Sequence, residues 1–199
     1  MSELAVFVAL GFRHITDLAA MDHVLFLCAL AAIYQLRDWR RSVWVITAFT
    51  VGHSVTLALA VTGALALPTR LIEFLIPVTI VATCVANLVV RDGARAPWGV
   101  RYRAVFAAVF GLVHGAGFAN YLRSLFVAPI AVPLFGFNLG IELGQLVVLA
   151  LAALALVLVD RLIGGLLPRA GGPLRLRVVA VSAVVAVVAA RWAVERSPW

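Results

Sequence analysis

Long apolar runs, separated by short charged or glycine- and proline-containing breaks, dominate this chain. A helix needs about 20 mostly apolar residues to cross the hydrocarbon of a bilayer. Six runs reach or approach that length, at residues 21–36, 43–67, 71–90, 104–125, 132–159 and 174–193. Each is therefore expected to be a transmembrane helix, the first being short enough to extend backwards. An earlier stretch, 4–17, is too short to span, and a half-helix or interfacial segment is expected there, packed at the mouth of the bundle. It has neither a basic leader nor a small-residue cleavage site, so it does not read as a cleaved signal. The expected fold is all-α: a polytopic integral membrane bundle of about six helices plus a short N-terminal one, forming a single transmembrane domain over 1–199.

The breaks have recognisable chemistry. Arg37-Asp38-Trp39-Arg40-Arg41 is a charged loop, and Pro68 closes the second run. Arg91-Asp92-Gly93 with Pro97 marks another loop, and Gly164-Gly165, Pro168, Gly171-Gly172 and Pro173 mark the last. No internal repeat is evident. Trp39, Trp44 and Trp98 sit at run ends, where amphipathic rings anchor at the headgroups.

Composition narrows the class. Of 199 residues, 64% are hydrophobic and only 13% charged, against about a quarter charged in soluble domains. All 16 basic residues are arginine. Lysine-based Schiff-base chemistry is thereby excluded, as is a phosphate-binding loop of the G-x-x-x-x-G-K-[ST] type. The net charge of +7 does not point to nucleic acid, because the arginines lie between apolar runs. Eleven lie in the loops after the first, third and fifth runs and five on the other side. The positive-inside rule then puts both termini outside the cytoplasm. Cys28 and Cys84 lie inside apolar runs and read as small core residues.

Against this background the polar residues inside the runs stand out. A charged side chain near the bilayer centre costs about 2.5–3.5 kcal/mol on insertion scales, and such residues mark sites or pathways. The four histidines are His14, His23, His53 and His114, none in a cytoplasmic loop. His53 and His114 fall near mid-run, Asp22-His23 opens the first run, and Glu142 lies about a third of the way into the fifth. Imidazole with carboxylate is a ligand set for zinc, nickel, cobalt or iron. Asn138, Glu142 and Gln145 share one helix face, as do Thr50 and His53. The plainer alternative is that each histidine is an interhelical hydrogen-bond donor contributing about 0.6–2 kcal/mol. Glu73 divides evenly between headgroup contact and function. Gly111 and Gly115 read as close helix packing, and Thr79, Thr83 and Asn87 as packing polars.

At these motifs the chain resembles the HupE/UreJ family of bacterial membrane proteins. The matching pieces are His14-Ile15 with Met21-Asp22-His23-Val24-Leu25-Phe26, then Thr47 to Leu57 (TAFTVGHSVTL), Phe110 to Ala119 (FGLVHGAGFA) and Phe137 to Gln145 (FNLGIELGQ). The likeness covers roughly residues 8–150. It implies a secondary permease of the inner membrane whose substrate is a divalent transition metal, nickel or cobalt. Carried over by position, it implies a metal pathway through Asp22, His23, His53, His114 and Glu142, with His14 at a looser spacing.

Two other functions fit the same residues. An intramembrane zinc hydrolase acting on lipid or peptide would use three histidines and an open coordination position to activate water. Asp22 or Glu142 would then be the general base, and Ser54 could bind the substrate. A haem protein with His53 and His114 as axial ligands would leave the acidic residues without a role.

Overall fold

Among the described residues the apolar runs form seven α-helices. In the computed structural model, which describes residues 2–18, 21–89, 99–125, 130–166 and 173–199, these are α1 (Glu3–Thr16), α2 (Asp22–Ala31), α3 (Trp39–Val61), α4 (Thr69–Val89), α5 (Gly99–Leu125), α6 (Ala131–Leu166) and α7 (Pro173–Glu195). There is no strand among the described residues. Helices α3, α4, α6 and α7 are long and apolar enough to cross a membrane, and α5, at 27 residues, matches them in length. This is an all-helical membrane protein.

Local chemistry sets the ends. The Ser2 hydroxyl accepts from the Ala5 amide at 3.4 Å and caps α1. Gly63, with φ 77°, follows the last turn of α3 in the left-handed conformation that glycine adopts without strain. Pro173 is the first residue of α7, where its missing amide proton is not needed. Three boundaries differ from the sequence expectation. The first apolar run yields a helix of only 10 residues. Helix α3 stops at Val61 and not at residue 67. Gly164-Gly165, expected in a loop, lie in the last turns of α6, whose apolar run holds the helix through Leu166. The loop signals Arg91-Asp92-Gly93, Pro97, Pro168 and Gly171-Gly172, and Trp98, lie outside the described residues.

The expected half-helix is α1. It packs along α6 through glycines. A Cβ added to Gly11 would lie 2.0 Å from the Phe137 carbonyl oxygen, and one added to Gly140 would lie 2.1 Å from that of Val8. The same register recurs between α5 and α3. A Cβ on Gly111 would lie 2.1 Å from the Phe49 carbonyl oxygen, and one on Gly52 would lie 2.0 Å from that of Ala108. The correspondence is residue by residue. Val8, Gly11, Phe12 and His14 match Ala108, Gly111, Leu112 and His114, while Phe137, Gly140 and Ile141 match Phe49, Gly52 and His53. Exchanging α1 with α5 and α3 with α6 therefore maps this glycine register onto itself, a correspondence that the apolar pattern does not announce. Helices α4 and α7 pack on each other.

Helix α2 ends in a dense polar knot. Its terminal carbonyls have no intrahelical partners, and side chains from elsewhere supply them. Arg177 donates from Nε to the Ala32 carbonyl at 3.1 Å and from Nη2 to that of Tyr34 at 2.8 Å, and pairs with Asp160 through Nη1. Asn87 donates to the Ala29 carbonyl at 2.7 Å and accepts from Arg103 at 3.0 Å. The knot fixes α2 to α4, α5, α6 and α7, and so fixes the helix that carries His23.

Candidate metal centre

Each histidine is delivered by a different helix. His14 comes from the last turn of α1, His23 from the first turn of α2, His53 from α3 and His114 from α5. The glycine contacts explain why the rings meet. Gly11 brings the α1 backbone against α6 one turn before His14, while Gly52 and Gly111 bring the backbones bearing His53 and His114 together. His23, His53 and His114 are buried, with His53 wholly inaccessible.

The rings converge. Centroids of His14 and His23 are 4.7 Å apart, those of His14 and His53 6.1 Å, and those of His23 and His53 6.2 Å. One ligand atom from each of these three lies within 4.8 Å of the other two. His114 is outside that trio but adjoins it, its ring centroid 5.1 Å from that of His23. Aromatic rings enclose the group. Phe118 lies 4.0 Å from His14, and Phe49 lies 5.1 Å from His114 and stacks on Phe26 at 4.9 Å.

The nitrogens are largely unpartnered. His14 Nε2, His23 Nε2, both nitrogens of His53 and Nδ1 of His114 are buried without a hydrogen-bond partner. A buried unsatisfied polar atom costs about 1–3 kcal/mol, so native structures hold few of them. Histidines retained as interhelical hydrogen-bond donors would show the opposite, a partner for each ring. Neutral imidazoles with free lone pairs are the ligand form for borderline divalent ions.

The two carboxylates take other partners. Asp22 receives Arg196 Nη1 at 3.2 Å and 3.3 Å on its two oxygens. Glu142 receives the Thr47 hydroxyl at 2.5 Å. One turn along, the Thr50 hydroxyl lies 2.7 Å from Gln145 Oε1, so the polar face expected on α6 meets α3. Neither carboxylate joins the histidine trio within the 4.8 Å spacing. The structure thus brings His14, His23 and His53 together, sets His114 beside them, and holds Asp22 and Glu142 in separate bonded pairs. Glu73 is exposed near the start of α4.

Three polar partners escaped the sequence reading. Thr79, expected as a packing residue, lies 3.2 Å from His114 Nε2. Its spacing with Thr83 and Asn87, one polar stripe on an apolar helix, was the available signal. Thr47 and Arg196 gave none, being remote in sequence from the carboxylates they hold.

No curated protein and no solved structure matches the chain. A family model described as HupE / UreJ protein matches residues 1–196. With that match running over nearly the whole length, this chain belongs to the HupE / UreJ protein family.

Proposed function

We propose that the protein is a secondary permease for a divalent transition metal, nickel or cobalt, in the bacterial inner membrane. The observation that carries this is the gathering of four imidazoles from four helices, three of them buried and His14 half-buried, with most of their nitrogens free. Transport needs several weak sites and exchange between them. A trio adjoined by a fourth histidine suits that, with the trio as first holding site and His114 as the next step. Asp22 is next to His23 in the chain and Glu142 lies on α6, and in this reading each takes part by giving up Arg196 or Thr47.

Helices α1 and α2 have the form of one interrupted span. At 14 and 10 residues they measure about 21 Å and 15 Å, each short of the roughly 30 Å hydrocarbon. They meet at His14 and His23. Broken helices at the interface between repeats are where secondary transporters hold their substrates. With that pair counted once there are six crossings, and the arginine distribution then puts both termini outside the cytoplasm.

The zinc-hydrolase reading asks for a free general base beside the trio. Both acidic candidates are engaged elsewhere, which favours the carrier. The deciding experiment is Ni²⁺ and Co²⁺ flux into liposomes containing the purified protein, with the stoichiometry and off-rate of bound metal. Rapidly exchanging metal and saturable flux are expected, with both weakening as acid protonates the imidazoles. A single, tightly held zinc ion without flux would overturn the carrier reading.

A further inference from the structure

We infer that Thr79 is a positioning residue that fixes the tautomer of His114, placing the ring proton on Nε2 and leaving Nδ1 as the lone pair offered to metal. The inference rests on the permease reading for its purpose, but the tautomer itself is a property of the metal-free protein.

The argument follows one hydroxyl proton. Thr79 Oγ1 is 2.6 Å from the Ile76 carbonyl oxygen, to which it donates. A carbonyl oxygen can only accept, so a hydroxyl this close to one is committed as its donor. The same oxygen lies 3.2 Å from His114 Nε2, within the range of an N–H···O bond. With its proton spent on Ile76, Thr79 can only accept, so Nε2 must carry the hydrogen. A neutral imidazole has one N–H and one bare nitrogen, and the bare one is then Nδ1. That atom is buried and has no hydrogen-bond partner, in a ring that adjoins His23. The reverse tautomer would bury an N–H donor at Nδ1 with nothing to receive it.

A metal-ligating histidine characteristically donates its second ring N–H to a partner that sets its tautomer and orientation, and loss of that partner lowers metal affinity about 10–100-fold. Carboxylate or carbonyl usually fills that role. Here a hydroxyl relays the bond to a backbone carbonyl one turn back on α4, so no charge is added inside the membrane. The α4 backbone thereby determines which face of His114 is basic.

The test uses full-length protein labelled with ¹⁵N-histidine, with the His114 signals assigned by their loss in His114→Ala. In metal-free wild type, Nε2 should give the protonated signal and Nδ1 the bare one. Thr79→Ser, which keeps the hydroxyl, should preserve that pattern. Thr79→Val, nearly equal in volume but without an acceptor, should lose it. Co²⁺ is the probe for the second measurement: Thr79→Val should weaken binding roughly 10-fold or more, and Thr79→Ser should restore it. A wild-type proton on Nδ1, a Thr79→Val spectrum identical to wild type, or wild-type Co²⁺ affinity in Thr79→Val would each overturn the positioning role. Wild-type protein that binds no Co²⁺ yet shows the expected tautomer would overturn the permease reading and leave the Thr79 assignment standing.

Discussion

The two ends of α2 show opposite treatments of polar groups in an apolar bundle. At its C-terminal end, the carbonyls of Ala29, Ala32 and Tyr34 each receive a side-chain donor from Asn87 or Arg177. At its N-terminal end, His23 meets three other imidazoles and shares hydrogen bonds with none of them. Eight buried side-chain nitrogen or oxygen atoms lack a partner among the described residues, and five belong to the four histidines. The carbonyls at one end are satisfied, while most imidazole nitrogens at the other are open. Paired polar groups tie the helices together at one end, while the proposed metal site lies where the imidazole nitrogens are unpaired.

The largest effect should come from the paired end. Arg177 is 2% exposed and its partner Asp160 26%. Breaking a buried ion pair typically costs about 3–5 kcal/mol, and the exposure of Asp160 argues for the lower end. Arg177→Met should therefore lower unfolding stability in detergent by about 3 kcal/mol. It should leave metal affinity near wild type in whatever remains folded. If the variant melts like wild type, the knot at the end of α2 is not what anchors that helix.

The open end should respond in the opposite way. His53→Ala removes two orphan nitrogens along with their ring. Lost packing and relieved desolvation oppose each other, so metal-free stability should change by no more than about 1 kcal/mol. Metal affinity should fall more than the roughly 100-fold seen when only a ligand's supporting partner is removed. His14→Ala tests whether the residue with the looser motif spacing is a full member of the trio, and an equal loss is expected. Thermal melts without metal and equilibrium Ni²⁺ binding measure both. A His53→Ala protein that unfolds easily but still binds Ni²⁺ would return this residue to the packing polars.

Why one end of this comparison was legible in the sequence and the other was not has a physical basis. Apolar runs reveal helices in a membrane protein because lipid tolerates little else, and a histidine in mid-run is conspicuous because it is costly there. His53, His114 and the all-helical bundle could be read that way, and His23 stood out at the opening of a run. The helix that α1 packs against could not be read. The apolar stretch of α1 is too short to span, and its place against α6 depends on the absence of side chains at Gly11 and Gly140. The shared register was hidden for the same reason. Its identical pairs are few, Gly11 with Gly111, His14 with His114, Phe137 with Phe49 and Gly140 with Gly52, among apolar positions that lipid leaves interchangeable. The partners of Asp22 and Glu142 needed coordinates, since Arg196 and Thr47 are 174 and 95 residues away.

The shared glycine register makes a third, smaller prediction. Gly52→Ala and Gly140→Ala place a methyl group against equivalent carbonyls, 2.0 Å and 2.1 Å away. Overpacking of this kind costs about 1–3 kcal/mol, and the two variants should lose similar amounts in thermal melts. Their effects on metal should diverge. Gly52 is next to His53, so its substitution should also weaken Ni²⁺ binding. Gly140 supports the trio only through α1, so its effect should be milder. Stability losses differing by more than about 2 kcal/mol, beyond the spread of such overpacking costs, would show that the matched registers are not energetically equivalent.

The smallest effect concerns the pair at the edge of the open end. Arg196 and Asp22 are 33% and 17% exposed, and a partly exposed pair contributes about 0–1 kcal/mol. Arg196→Gln should therefore leave the melting temperature almost unchanged. Its consequence should appear in binding. In the wild type an arriving cation must displace a guanidinium from Asp22. With Arg196 neutralised, the carboxylate is free, and Ni²⁺ affinity should rise about fivefold if the full 1 kcal/mol of the pair is recovered. Asp22→Asn should abolish that gain, and combining the two substitutions separates the terms. If Arg196→Gln raises affinity only while Asp22 is present, the carboxylate belongs to the ion's route. If affinity is unchanged in both single variants, Asp22 joins Arg177 among the residues that hold the helices together, and the boundary between the two ends of α2 falls between Asp22 and His23.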